Sequence, residues 1–230
     1  MKKLVLLTVF TMVMFAAGSA FANVPNTDYA QTGKGAVSIS ISRSDVDVEG
    51  NGETFSLDKH WNFGAKAEVV VAPKWAVGLN YINSKSDETN LIDGVGDAFR
   101  AEASLRTFEL TAQYMAYQKN GFSIIPYVGW ARDKGEIKII GEENSSKSNN
   151  DFLLGSKFVY EFNKKFVSYA DLGFGGDIFK WGIGVAYKFT PELALSLGYD
   201  YRKVKDFDMG DGDKFDGKTK NIVIGVTYLF

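Results

Sequence analysis

Trp181-Gly182-Ile183-Gly184-Val185-Ala186-Tyr187-Lys188-Phe189 is followed by Thr190-Pro191-Glu192, and then by Leu193-Ala194-Leu195-Ser196-Leu197-Gly198-Tyr199-Asp200-Tyr201. Every second residue of both runs is large and apolar, and the residues between are small, glycine or charged. A period of two is the signature of a β-strand with two unlike faces. A proline-containing link of three residues between two such runs makes an antiparallel hairpin. The apolar face carries aromatic rings at both strand ends and aliphatic side chains between them. A soluble half-buried strand has no reason to sort its rings in this way. A strand crossing a bilayer does, because rings settle at the two headgroup levels and aliphatic side chains face the acyl chains.

The same alternation extends in both directions. It predicts ten strand segments, at 35–43, 55–71, 75–83, 98–117, 122–139, 151–162, 166–175, 179–189, 193–203 and 218–230. Four connectors are tight: 72–74, 118–121, 163–165 and 190–192. Those alternating with them are long and polar (44–54, 84–97, 140–150 and 204–217), apart from the short Gly176-Asp177-Ile178. Short turns at one end and long loops at the other, with an even strand number, describe an antiparallel up-and-down transmembrane β-barrel. Ten strands are expected, with eight as the alternative. One girdle gathers Trp75, Tyr114, Phe122, Phe162, Phe166, Tyr187, Phe189, Tyr228 and Phe230 near the short turns. The other gathers Trp61, Phe63, Tyr81, Trp130, Phe174, Trp181, Tyr199 and Tyr201. A soluble lipocalin-like barrel would turn the large face inward and crowd all these rings into a closed interior. It would also leave a glycine-rich face in water.

The chain opens Met1-Lys2-Lys3, runs apolar from Leu4 to Ala17 and closes with Ser19-Ala20-Phe21-Ala22. This is the pattern of a secretory signal peptide over 1–22, leaving 23–230 as one barrel domain. Without Lys2 and Lys3, 24 basic residues face 28 acidic ones, a net charge of −4. The lysines are scattered, so nothing points to nucleic acid. The chain has no cysteine, which excludes disulfides and a lipid-modified cysteine. In 98–108 the apolar residues change phase. Either the upper halves of the 98–117 and 122–139 segments rise above the bilayer, or a β-bulge sits near Arg106.

Three stretches carry a family resemblance: Ile125-Pro126-Tyr127-Val128-Gly129, Ala170-Asp171-Leu172-Gly173-Phe174-Gly175, and the closing Gly225-Val226-Thr227-Tyr228-Leu229-Phe230. With the leader, they resemble the small outer-membrane β-barrel domains of opacity-type surface proteins. The resemblance implies a bacterial outer-membrane location and no fixed activity. It also implies that Tyr228 and Phe230 are similar to the signal read by the barrel-assembly machinery.

Charged residues predicted to face the lumen are Lys66, Glu68, Glu109, Lys157, Glu161, Asp171, Lys188, Asp200 and Arg202, with the neutral Gln113 beside them. Hairpin register places Lys157 opposite Asp171, Asp200 opposite Gly182, and Arg202 opposite Lys180. Charges withdrawn from water need partners. Two readings follow: a salt-bridged plug that shuts the barrel, or a narrow polar pore lined by these groups. Ten strands lie near the closed end of barrel sizes, and the inward glycines push towards the open one.

A third reading is a rim hydrolase using His60, the only histidine, with Asp58 and Asn62 on its face. One histidine beside acids is common by chance, so a rim histidine without catalysis is expected. The acidic stretch Asp206, Asp208, Asp211, Asp213 and Asp216 lacks calcium-loop spacing and reads as a solvated loop. No cofactor and no metal site is expected. The expected protein is a non-enzymatic monomer in contact with outer-membrane lipid and lipopolysaccharide, with a small passive porin as the alternative.

Overall fold

The computed structural model describes residues 24–50, 53–92, 98–140, 145–208 and 214–230. The leader at 1–22 lies outside these residues, as do Asp211 and Asp213. Ten long antiparallel strands form the wall: β1 (Gly35–Gly50), β2 (Glu53–Ala72), β3 (Trp75–Lys85), β5 (Ala98–Tyr114), β7 (Phe122–Ile139), β8 (Ser145–Glu161), β9 (Phe166–Phe174), β10 (Ile178–Lys188), β11 (Leu193–Asp208) and β12 (Lys214–Leu229). Two short strands, β4 (Thr89–Ile92) and β6 (Tyr117–Lys119), flank β5. Each long strand pairs with its sequence neighbour, and β12 returns to β1 from Ala36↔Leu229 to Gly50↔Phe215. The cylinder is closed, so no sheet edge meets lipid.

The exposed large residues are the lipid-facing ones. Ile39, Ile41, Phe63, Leu110, Val128, Leu154, Ile183, Val185, Leu197, Ile222 and Ile224 all point outward. Their strand neighbours point inward and are buried or half-buried. Rings pair along the two girdles, as Trp75–Tyr114 and Phe166–Tyr187 do near the short turns, and Phe108–Trp130 and Trp181–Tyr199 at the far end. At the short-turn end Asn120 and Gly121 have φ of 53° and 78°. Such a pair suits a two-residue hairpin turn, because Asn and Gly tolerate the left-handed region.

Three expectations need correction. The connectors at 44–54, 140–150 and 204–217 are mostly strand: β1 continues to Gly50, β8 begins at Ser145, and β11 and β12 reach Asp208 and Lys214. Their polarity disguises them, because a strand above the bilayer faces water and loses its lipid-side apolar signature. At 98–117 the strand stops at Tyr114, and Tyr117–Lys119 pairs separately with β7.

The third correction concerns the phase change near Arg106. The pairings of β5 with β3 and β7 run without a register shift, so no bulge stands there. Ala101, Ala103 and Leu105 are buried inside, in line with Thr107, Glu109 and Gln113 below them. The chemistry inverts, not the geometry. At mid-membrane the inside is polar. Above it the inside is an apolar cluster of Val46, Leu57 and Ala103, with Val48 and Ile137 packed against it. The bulge lies instead in β2, where Ser44↔His60 is followed by Val46↔Leu57, leaving Asp58 and Lys59 opposite one residue. It turns Leu57 into that cluster.

The protruding wall is uneven. β9 and β10 end at Phe174 and Ile178, while β8 and β11 continue past them. The N-terminal segment enters the lumen from the short-turn end, with Val24, Asn26 and Tyr29 buried.

Candidate functional site

Inward positions alternate along each strand, so side chains from far strands meet across the lumen. Lys157 on β8 reaches Glu68 on β2 (Nζ–Oε2 2.6 Å) and Gln113 on β5 (2.6 Å). The Tyr29 hydroxyl donates between Glu68 and Gln113, 3.1 Å from an oxygen of each. Arg202 on β11 grips Glu109 (2.6 Å) and takes Asp133 in two hydrogen bonds of 3.0 and 2.7 Å. Thr107 donates to the same Asp133. Lys180 on β10 stands 2.9 Å from Glu109 and 3.6 Å from Asp171. Asn80 also donates to Glu109, at 3.0 Å. The Tyr127 hydroxyl donates to Asp171, at 2.7 Å. Paired, hydrogen-bonded ions of this kind tie opposite walls together, because removing one member would strand its partner in a dry interior.

The other predicted lumen residues have separate settings. Lys188 and Glu161 pair at 3.1 Å near the short turns, where Thr27 also donates to Glu161. Asp200 is buried and accepts from Asn221 at 2.7 Å. Lys66 is half-buried beside two small voids of about 20 Å³ each, room for little more than one water molecule. Lys157 stands opposite Asp171 in register, as Arg202 does opposite Lys180. Yet register does not decide partners: the Lys157 ammonium goes across the lumen to Glu68.

The sequence reading missed Asp133, Lys180, Tyr127, Asn80 and Tyr29 as members of this network, Lys180 entering it only as the register partner of Arg202. The first four share the inward parity of their strands, and counting parity would have found them. Tyr29 precedes the first strand, and no sequence pattern points it into the lumen.

The inward glycines do not open a pore. A Cβ on Gly155 would enter the Tyr127 ring, one on Gly184 the Tyr169 ring, and one on Gly78 the Gln113 amide. They are the recesses that admit large lumenal side chains from other strands.

His60 sits at the outer rim, Nδ1 2.6 Å from Asp87 Oδ1 rather than on Asp58. Asn62 donates to the His60 carbonyl instead of orienting its ring. Among the described residues no group of three or more His, Asp and Glu side chains could hold a metal ion. Asp216 is held by Lys203 at 2.6 Å. The side chain of Asp208 lies outside the described residues.

A family model for the outer membrane protein beta-barrel domain matches residues 8–230. No curated protein matches the chain. Among solved structures, the attachment invasion locus protein Ail of Yersinia pestis is 16% identical, covering 86% of this chain and 99% of its own, with a TM-score of 0.39. Neisserial surface protein A is 15% identical, covering 85% and 99%, with a TM-score of 0.43. An outer membrane channel from Pseudomonas putida F1 is 10% identical, covering 90% and 100%, with a TM-score of 0.50. At these identities the likeness is one of fold alone.

Proposed function

Because the chain belongs to the outer membrane protein beta-barrel domain family and lies in the bacterial outer membrane, we propose that it is a non-enzymatic surface protein. Its barrel is shut, and its outward strands are the working part. The observation that carries this reading is the lumen itself. Arg202, Glu109, Asp133 and Lys180 interlock across its middle, and Lys157, Glu68, Gln113 and Tyr29 fill the level below. Val46, Leu57 and Ala103 cap it above with apolar side chains. An ion would have to break buried salt bridges and then cross an apolar layer, and both steps are costly.

On this reading residues 1–22 are removed on export, and the closing strand with Tyr228 and Phe230 addresses the barrel-assembly machinery. The protein works as a monomer, surrounded by outer-membrane lipid and lipopolysaccharide. Binding is carried by the strands and turns above the membrane, the usual place for it on a rigid scaffold.

Planar-bilayer recording tests this with protein extracted folded from outer membranes. Silence is expected, in the wild type and in His60→Ala alike. Discrete conductance steps that change with Lys157→Ala or Asp171→Ala would replace this reading with a small pore.

A further inference from the structure

Two pairs of cations face each other across strands on the outside of the barrel, and the protein treats them differently. On one side Lys203 of β11 stands opposite Lys218 of β12. Glu49 and Asp216 lie between and around them. Lys218 meets Glu49 at 2.6 Å, and Lys203 meets Asp216 at 2.6 Å and Glu49 at 3.4 Å. On the other side Arg106 of β5 stands opposite Lys134 of β7, and Arg132 lies two residues along the same face as Lys134. Only Glu136 approaches, 3.7 Å from Arg106, and no ion pair is recorded for Lys134 or Arg132 among the described residues. Like charges directly opposite on a sheet repel and destabilise it. The first pair is neutralised from within. The second has one distant carboxylate for three cations.

The position of the second group says what could neutralise it. Phe108, Trp130 and Phe152 lie side by side across β5, β7 and β8, all exposed on the outer face. They belong to the upper aromatic girdle. Arg132 pairs in register with Phe108 on one side and Asn150 on the other, and Lys134 pairs with Arg106 and Ser148. Arg132 is thus two residues beyond Trp130, about 7 Å further along the strand. That is headgroup height. The patch offers two fork-shaped guanidinium groups, an ammonium and flanking amide and hydroxyl donors directly above an apolar aromatic step.

We propose that Arg106, Arg132 and Lys134, with Ser148 and Asn150, form a binding site for the phosphorylated headgroup of lipid A, its acyl chains lying along Phe108, Trp130 and Phe152. The outer leaflet of this membrane supplies that anionic lipid. Guanidinium and ammonium groups favour phosphate through short charge-assisted hydrogen bonds. The lipid phosphate takes the place that Glu49 and Asp216 hold on the opposite side. The site is independent of whether the lumen conducts.

The test compares wild-type protein with the Arg132→Gln/Lys134→Gln double variant, both extracted folded, in detergent and with added lipid A. In detergent alone the variant is expected to unfold later than wild type, because cation repulsion is relieved. With bisphosphorylated lipid A the order reverses, and native mass spectrometry shows retention roughly thirtyfold weaker for the variant, at about fivefold per charge. Dephosphorylated lipid A is retained equally by the two proteins and leaves the order of unfolding as it is in detergent. The proposal fails if bisphosphorylated lipid A produces no reversal and equal retention. It fails equally if inorganic phosphate competes as well as the lipid does, which would make this a free-anion site. Preference for a sulfated oligosaccharide over lipid A would overturn it in favour of a glycan. A conducting barrel that still shows the reversal would end the closed-lumen reading alone.

Discussion

At the scale of single residues, Arg202 and Glu109 dominate the interior. Both are about 2% exposed. Each has more than one oppositely charged partner, so each removal strands others. Arg202→Ala leaves Asp133 and one oxygen of Glu109 without their cation, in a site that water cannot readily enter. The expected cost is about 3–5 kcal/mol, read from urea unfolding in lipid vesicles. Lys188→Ala, at the wetter lower end, should cost far less. If the two substitutions cost the same, the buried network is not what holds the middle of the barrel. The glycines belong to the same scale. Gly155 and Gly184 lie where a side chain would meet Tyr127 and Tyr169, so the absence of a Cβ is what allows the phenols to lie inside.

At the scale of elements, the outer ends of β1, β11 and β12 are held by charge. Asp47 pays for its burial, but hydrogen bonds from Lys220 and Ser56 outweigh it and hold the carboxyl below its ordinary range. The hydrogen bond from Lys218 does the same for Glu49. A carboxyl whose folded pKa is depressed adds stability above its unfolded pKa of about 4, and that stability is lost as pH falls through the folded value. For Lys203 the sign is opposite. Its pKa is raised, chiefly by the hydrogen bond to Asp216, so its contribution disappears only in strong alkali. The outer ends should therefore loosen in acid before the spanning parts do. Amide protection at 46–49 and 216–219, corrected for intrinsic exchange, should fall between about pH 6 and pH 3, while that at 36–42 persists. Lys220→Gln should move this loosening to higher pH. Uniform loss along β1 would contradict the assignment.

At the scale of the whole molecule, the lumen is closed at three heights by three kinds of chemistry. The N-terminal segment fills the bottom, ion pairs fill the middle and apolar side chains fill the top. Tyr29 joins the bottom level to the middle one, and the middle layer is expected to close the lumen without it. Deleting residues 24–30 takes out Val24 and Tyr29, and with them contacts to Thr227, Glu68 and Gln113. The deletion should lower the unfolding midpoint and still leave a planar bilayer silent. Opening by this deletion alone would show that the middle layer is permeable and that the N-terminal segment is the gate.

The strand count, the closed antiparallel barrel, the lipid-facing residues and the two girdles were all legible in the sequence. Each follows from a period of two read against a sharp change of solvent, and that contrast is written into every spanning strand. The contrast fades above the bilayer, where water replaces lipid outside and apolar side chains move inside. There polar strands read as loops, and the inversion along β5 resembled a slip in phase. The lumenal partners were not legible at all. Parity says which residues point inward, and hairpin register says which stand opposite on the next strand. Lys157 with Glu68, and Arg202 with Glu109 and Asp133, meet across the cylinder. Their meeting depends on how the closed barrel staggers its strands, and only the tertiary structure decides that.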